Sequence, residues 1–219
     1  MGKVISRSVL GDYSGTVGTV VLSMYRGIPI MKGRPRPSRK AASPQQLGQR
    51  EIFKIVTAFF RPEKSVINIG FQQPGRSKHS PMNAAVSYHM KNAIGGAAGN
   101  PYLELSKLRL TQPRNKTQTA WNAKLSVPGG YTINVDWELN PFPQKCAQTD
   151  DKVFIVVYNN TTNRFDPYRE HLRRADLSYS HTYPKRCEGN ELHFYMFLVS
   201  EDGKLVSETE YLGMVIMQA

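Results

Sequence analysis

The sequence predicts an α+β amino-terminal module, a β-hairpin plus two helices, followed by an all-β sandwich. Residues 1–100 hold one glycine-punctuated hairpin pattern and two helical stretches that open on capping signals. Residues 101–219 switch to short alternating runs separated by turn residues. Between the two patterns, the glycine- and alanine-rich run from Gly95 to Pro101 marks the expected domain boundary.

In the amino-terminal module, Gly15 to Leu22 and Ile28 to Met31 are rich in β-branched residues and joined through Tyr25-Arg26-Gly27, which suggests a hairpin. Pro29 has no N–H to give to a ladder and would confine its strand to a sheet edge. The first helix opens at Ser43-Pro44-Gln45-Gln46, with an N-cap serine, proline at N1 and glutamine at N3. Ile52, Ile55, Val56 and Phe59 then supply its apolar stripe, and Pro62 ends it. The second opens at Ser80-Pro81 and stops at Gly95-Gly96. Between them Val66 to Phe71 reads as a short β-like run.

The strand candidates of the second half are 105–110, 120–127, 132–139, 153–158, 192–199 and 205–212, with one more between 177 and 183. Pro128-Gly129-Gly130, Asn140-Pro141, Asn159-Asn160 and Glu201-Asp202-Gly203 punctuate them. That density of short strands is expected of an immunoglobulin-like or fibronectin type III-like sandwich. An antiparallel sandwich of different strand order is the alternative. Trp137 stands where such domains bury a tryptophan, and Tyr195 is the expected aromatic opposite it.

Charge is strongly segregated. Of the net +12, residues 1–112 carry 17 Lys and Arg against 4 acids, and residues 113–219 carry 12 against 13. Arg26 to Lys40 holds six cations and no acid. Such a stretch suits a polyanion, because each neutralised phosphate releases condensed counterions. Within it, Lys32-Gly33-Arg34-Pro35-Arg36-Pro37 is similar to the Arg-Gly-Arg-Pro core of an AT-hook, which lies in the minor groove. A solvated, proline-stiffened linker is the equally weighted reading.

Signatures of catalysis and of cofactors are missing. His79, His89, His171, His181 and His193 lack zinc-ligand spacing, and GxSxG, P-loop and GxGxxG patterns do not occur. The stretch Arg169-Glu170-His171, with Arg173, Arg174, Asp176 and His181, reads as an exposed salt-laced loop. Asp150-Asp151 reads as a turn. Cys146 and Cys187 are too few for a disulfide framework. No apolar run has the length of a membrane span, and the amino terminus has no apolar leader core, so a cytoplasmic location is expected.

Several motifs together resemble an uncharacterised family of bacterial proteins of about 210 residues, found mainly in Bacteroidetes. They are Ser14-Gly15-Thr16-Val17-Gly18-Thr19-Val20-Val21, Tyr25-Arg26-Gly27, Gln46 with Gln49-Arg50, Ile67-Asn68-Ile69-Gly70-Phe71, Asn83 to Tyr88, Val153 to Tyr158, Ser207 and Tyr211-Leu212-Gly213. Tyr25 stands where that family more often has tryptophan. The resemblance implies the two-part layout, with a bacterial or mobile-element origin, and carries no catalytic residues.

The expected function is therefore non-enzymatic binding, with no cofactor and no metal. Tyr25, Arg26, Lys32, Arg34, Arg36, Arg39, Lys40, Arg50 and Lys54 are the candidate nucleic-acid or polyanion contacts, Tyr25 by stacking and the rest on phosphates. The β-sandwich would contact a protein partner or further copies of the chain. The alternative is a structural or assembly protein, virion-like or at a surface, built on protein–protein contacts.

Overall fold

A computed structural model describes residues 2–3, 14–25, 28–36, 40–72, 79–97, 99–166 and 172–218. The chain divides into two compact units, Met1–Ser43 and Pro44–Ala219.

The first unit is a small antiparallel sheet. Its strands β1 (Gly2–Lys3), β2 (Gly15–Val17), β3 (Val20–Tyr25) and β4 (Ile28–Gly33) lie in the order β1-β4-β3-β2. Gly18, at φ +58°, supplies the left-handed residue that turns β2 into β3. The expectation that Pro29 puts its strand on an edge is corrected, since β4 lies between β1 and β3. Only Ile30 and Met31 pair with β1, so Pro29 falls beyond that two-residue ladder. No described side chain of this unit is buried.

The second unit begins with three helices, α1 (Pro44–Phe60), α2 (Lys64–Gly70) and α3 (Pro81–Asn92). At the start of α3 the Asn83 N–H donates to Ser80 Oγ at 3.2 Å, with Pro81 in the first turn. Helix α2 occupies the run expected as β-like. Val66, Ile67 and Gly70 are its buried residues, a spacing that puts all three on one helical face. That burial outweighs the β-propensity of its branched side chains. Gly70 is required there, because a Cβ would overlap the Leu110 carbonyl oxygen and stand 2.8 Å from Thr111 Cγ2. We expect Gly70→Ala to cost about 1–3 kcal/mol through overpacking, read as a lower urea midpoint at unchanged slope.

The expected boundary at 95–101 falls inside this unit. There β5 (Ile94–Gly95) pairs with β6 (Tyr102–Leu103), closing the glycine-rich run on itself. Residues 105–110, expected as a strand, begin with a 3₁₀ turn, Leu105–Lys107. The Leu110 and Thr111 amides then donate to Thr209 Oγ1 at 2.9 and 2.8 Å, which leaves them nothing to give a ladder.

Two larger antiparallel sheets follow. In one, β7 (Trp121–Gly129), β8 (Thr132–Glu138) and β12 (Ser178–Thr182) lie in the order β12-β8-β7. In the other, β9 (Lys152–Asn159), β10 (Arg164–Asp166), β13 (Glu191–Val199) and β14 (Glu210–Ile216) lie in the order β10-β9-β13-β14, and β11 (Leu172–Arg173) also pairs with β9. The last strand starts five residues later than its pattern suggests, because Val206 is held in bridges to Lys116 and Val199.

The larger sheet is covered on both faces. Val153, Ile155 and Val157 of β9 and Leu192, Phe194, Met196 and Leu198 of β13 pack against Ile133, Val135 and Trp137 of β8. The alternate residues Phe154, Val156, Tyr158, Tyr195 and Phe197 pack against Val56 and Phe60 of α1, Val66 and Ile67 of α2, and Ala85 and Val86 of α3. The architecture is thus helices, then sheet, then sheet, with each large apolar side chain so buried contributing roughly 1.5–3 kcal/mol. Tyr195 does not oppose Trp137. An odd-numbered residue of β13, it points to the helices and donates its hydroxyl to Leu105 O at 2.7 Å.

Candidate functional site

Five of the nine candidate contacts lie in described parts of the first unit. Tyr25 ends β3, pairs with Ile28 and is 43 % exposed. Lys32 sits on β4 opposite Val21. The Arg34 N–H donates to Thr19 O at 2.8 Å, carrying the hairpin ladder one residue past β4. Arg36 and Lys40 are exposed beyond it. Arg26 and Arg39 lie outside the described residues. From Tyr13 to Arg50 the sequence has no acid.

Arg50 and Lys54 belong to the second unit. They are exposed one turn apart on α1, and Arg61 just past its end continues their stripe, away from the buried Val56 and Phe60. The candidates therefore form two groups, one on each unit. Among the described residues Lys32, Arg34, Arg36, Arg50 and Lys54 make no ion pair with a carboxylate. Such cations are available to an external anion.

The other polar constellations lie in the second unit and were not read from the sequence. Arg174, expected in an exposed loop, is 4 % exposed. Its Nη2 and Nε donate to Asp151 Oδ2 at 2.8 and 3.2 Å, and Nη2 and Nη1 donate to the carbonyls of Gln118 and Thr119. The same Oδ2 accepts from Thr117 Oγ1 and the Gln148 amide. Trp137 Nε1–H donates to Arg174 O at 2.9 Å. Asp151 is thus more than a turn residue, because it anchors three chain segments. Arg169, Glu170 and His171 of the supposed loop lie outside the described residues.

His89 is wholly buried on α3. Its Nδ1–H donates to Ala85 O at 2.7 Å, and its Nε2 accepts from the Arg109 amide at 3.0 Å. Burial lowers its pKa to about 4, against the weaker opposing pull of the Ala85 carbonyl.

A third group runs Asn160, Glu191, His193, Tyr211. Asn160 Nδ2 donates to Glu191 Oε1 at 3.1 Å, and His193 Nε2 lies 2.7 Å from the same oxygen. A carboxylate only accepts, so Nε2 carries the proton and Nδ1 can accept from the Tyr211 hydroxyl, 2.9 Å away. Burial, then the charge of Glu191, raises the Tyr211 pKa. Asn160 also lines a cavity of about 620 Å³ walled by Phe59, Tyr102, Leu105, Tyr158 and Phe165. A second, smaller cavity of about 190 Å³ holds Asp166, His181, Tyr183 and Cys187. Burial raises the pKa of Asp166 and of Tyr183. Cys146 and Cys187 are both free thiols. Among the described residues no group of three or more His, Cys, Asp or Glu could hold a metal ion. No helix is long and apolar enough to cross a membrane.

Three helices on a doubly covered antiparallel sheet, with a separate basic sheet before them, define a two-unit α+β protein. The exposed charged residues described in its first unit, Lys32, Arg34, Arg36 and Lys40, are all cationic. The chain belongs to the family of unknown function DUF6266, whose family model matches residues 12–213 and so takes in the basic segment and all of the two large sheets but the end of β14. None of the curated proteins searched matches it.

Proposed function

We propose that the protein is a non-enzymatic binding protein whose basic amino-terminal segment contacts nucleic acid or another polyanion. The observation that carries this reading is the exposed, unpaired set Lys32, Arg34 and Arg36 in a stretch without a single acid. Tyr25, Lys40, Arg50 and Lys54 would extend it, with Arg26 and Arg39 from the same segment.

The two facing sheets serve, in this reading, as a protein-contact module of the immunoglobulin or fibronectin type III kind. Support comes from the strand assortment, with β7, β8 and β12 in one sheet and β10, β9, β13 and β14 in the other. The helical layer over one face is an addition to that plan.

The test is fluorescence anisotropy with labelled duplex and single-stranded DNA across a salt series. Replacing Lys32, Arg34 and Arg36 together by glutamine should weaken binding at least ~10-fold and flatten the salt slope by roughly 2–3. No binding at low salt, or binding indifferent to salt, would remove the proposal. An assembly role is the second reading, favoured by the pairing register of the first unit, which puts Val17, Val20, Leu22, Met24, Pro29 and Met31 on one side of its sheet.

A further inference from the structure

Helix α1 sets a cationic stripe beside the wall of a cavity. Lys54 and Arg61 are exposed, and Ala58 stands between them, four residues after one and three before the other. Residues at those spacings adjoin on a helix surface. The Arg61 N–H still donates to Thr57 O at 3.1 Å, so the helical path reaches it. Ala58, with Ile55 and Phe59, lines the cavity of about 620 Å³. All of these residues belong to the second unit.

No charged side chain lines that cavity. Tyr102 forms part of its wall and is 57 % exposed. The ring rests on the backbone of Gly95 and Gly96, where added Cβ atoms would stand 2.8 Å from its Cζ and 3.2 Å from its Cδ1. An aromatic ring seated on glycine backbone and otherwise open is a platform for stacking. Two amides edge the same cavity, at the ends of the turn from β9 to β10. Asn160 commits Nδ2 to Glu191 Oε1 at 3.1 Å, which leaves its Oδ1 to accept. Asn163 Oδ1 accepts from the Tyr158 hydroxyl at 3.1 Å, which leaves its Nδ2 to donate.

We propose that this cavity takes a nucleobase of a single strand whose phosphates lie on Lys54 and Arg61. This use of the cavity rests on the polyanion binding proposed above and adds the bases to it. A base has a flat π-face for Tyr102 and an edge of donors and acceptors for the two amides. It is uncharged, like the lining, while the phosphate joined to it is anionic and suits the adjoining cations. A free neutral ring would leave Lys54 and Arg61 unused, and a bare polyanion would leave the aromatic wall unused. The volume lies within the usual range of ligand sites. A base inside a duplex is stacked and paired, so it reaches the cavity only after leaving the helix.

Fluorescence anisotropy on the full chain at low salt tests this with a labelled oligothymidylate and an abasic strand of equal length and charge. The oligothymidylate should bind at least ~10-fold more tightly, the scale of one stacked base. Tyr102→Ala should abolish that difference and leave the abasic strand's affinity unchanged, whereas Tyr102→Phe should preserve it. Lys54→Gln with Arg61→Gln should weaken both strands by a similar factor. Asn163 has φ +53°, a conformation glycine adopts freely, so Asn163→Gly removes the amide and keeps the turn. That variant should narrow the difference, and it reads the same site if circular dichroism shows Tyr102→Ala unfolded. Equal affinity for the two strands overturns the proposal and leaves polyanion binding standing, as does a Tyr102→Ala variant that weakens both strands alike. Failure of either strand to bind at low salt removes both readings.

Discussion

Asp151→Ala is expected to destabilise the second unit by about 3–5 kcal/mol, the usual cost of leaving one member of a buried ion pair uncompensated. Arg174 would keep its positive charge at 4 % exposure with only the Gln118 and Thr119 carbonyls for partners. Thr117 Oγ1 and the Gln148 amide would lose an acceptor at the same time. Urea denaturation followed by tryptophan fluorescence reads the loss, since Trp137 donates to the Arg174 carbonyl. Asp151→Leu combined with Arg174→Met should recover much of the deficit, because removing both charges removes the desolvation cost as well. Equal loss in the single and double variants would mean that the charges are not what matters.

Acid should unfold the protein partly through His89. The folded-state pKa of about 4 lies below the ordinary 6.5, so the unfolded chain binds the proton more tightly. The stability that the neutral ring contributes is complete above pH 6.5 and drains away as pH falls toward 4. A gap of that size corresponds to about 3 kcal/mol. Burial raises the carboxyl pKa values of Glu63, Asp166 and Glu210, which works in the opposite direction as pH falls. Comparison with His89→Gln therefore isolates the histidine: its urea midpoint should change less between pH 7 and pH 4 than that of the native chain. Parallel pH profiles would show that the ring is not titrating in that window.

The strands were legible because their backbones are advertised by pattern. Val153 to Tyr158 and Leu192 to Val199 are almost unbroken apolar runs, and such runs belong to strands buried on both faces. Read fully, they announce a second covering layer. The helical stripe of Ile52, Ile55, Val56 and Phe59 announces a helix in need of a surface. That each satisfies the other is a tertiary fact, hidden by the glycine-rich stretch at 95–101, which invited a boundary. The division between the two compact units falls between Ser43 and Pro44, where local chemistry marks only a helix start. Helix α2 was missed because branched residues favour strands when exposed, and nothing local states that three of its positions are buried.

The candidate contacts were legible to a different degree. Lys32, Arg34 and Arg36 have no acid nearby in sequence, and cations without a partner stay at the surface. Arg174 looked similar but found its partner 23 residues away, through a bond between β11's neighbour and the entrance to β9. Charge density predicts exposure only where the fold offers no distant carboxylate.

The sheet shared by both cores has a consequence for how the chain is made. Helices α1 to α3 end at Asn92, yet the wall they lean on begins at Lys152 and is completed by Val199. During synthesis at roughly 5–20 residues per second the helices must wait several seconds with their apolar faces uncovered. Contacts this distant along the chain are slow to close. Neither the helical layer nor the three-stranded sheet has a core of its own to mature around, so the whole second unit must condense late and together. The newborn chain is most dependent on protection from its neighbours during that interval.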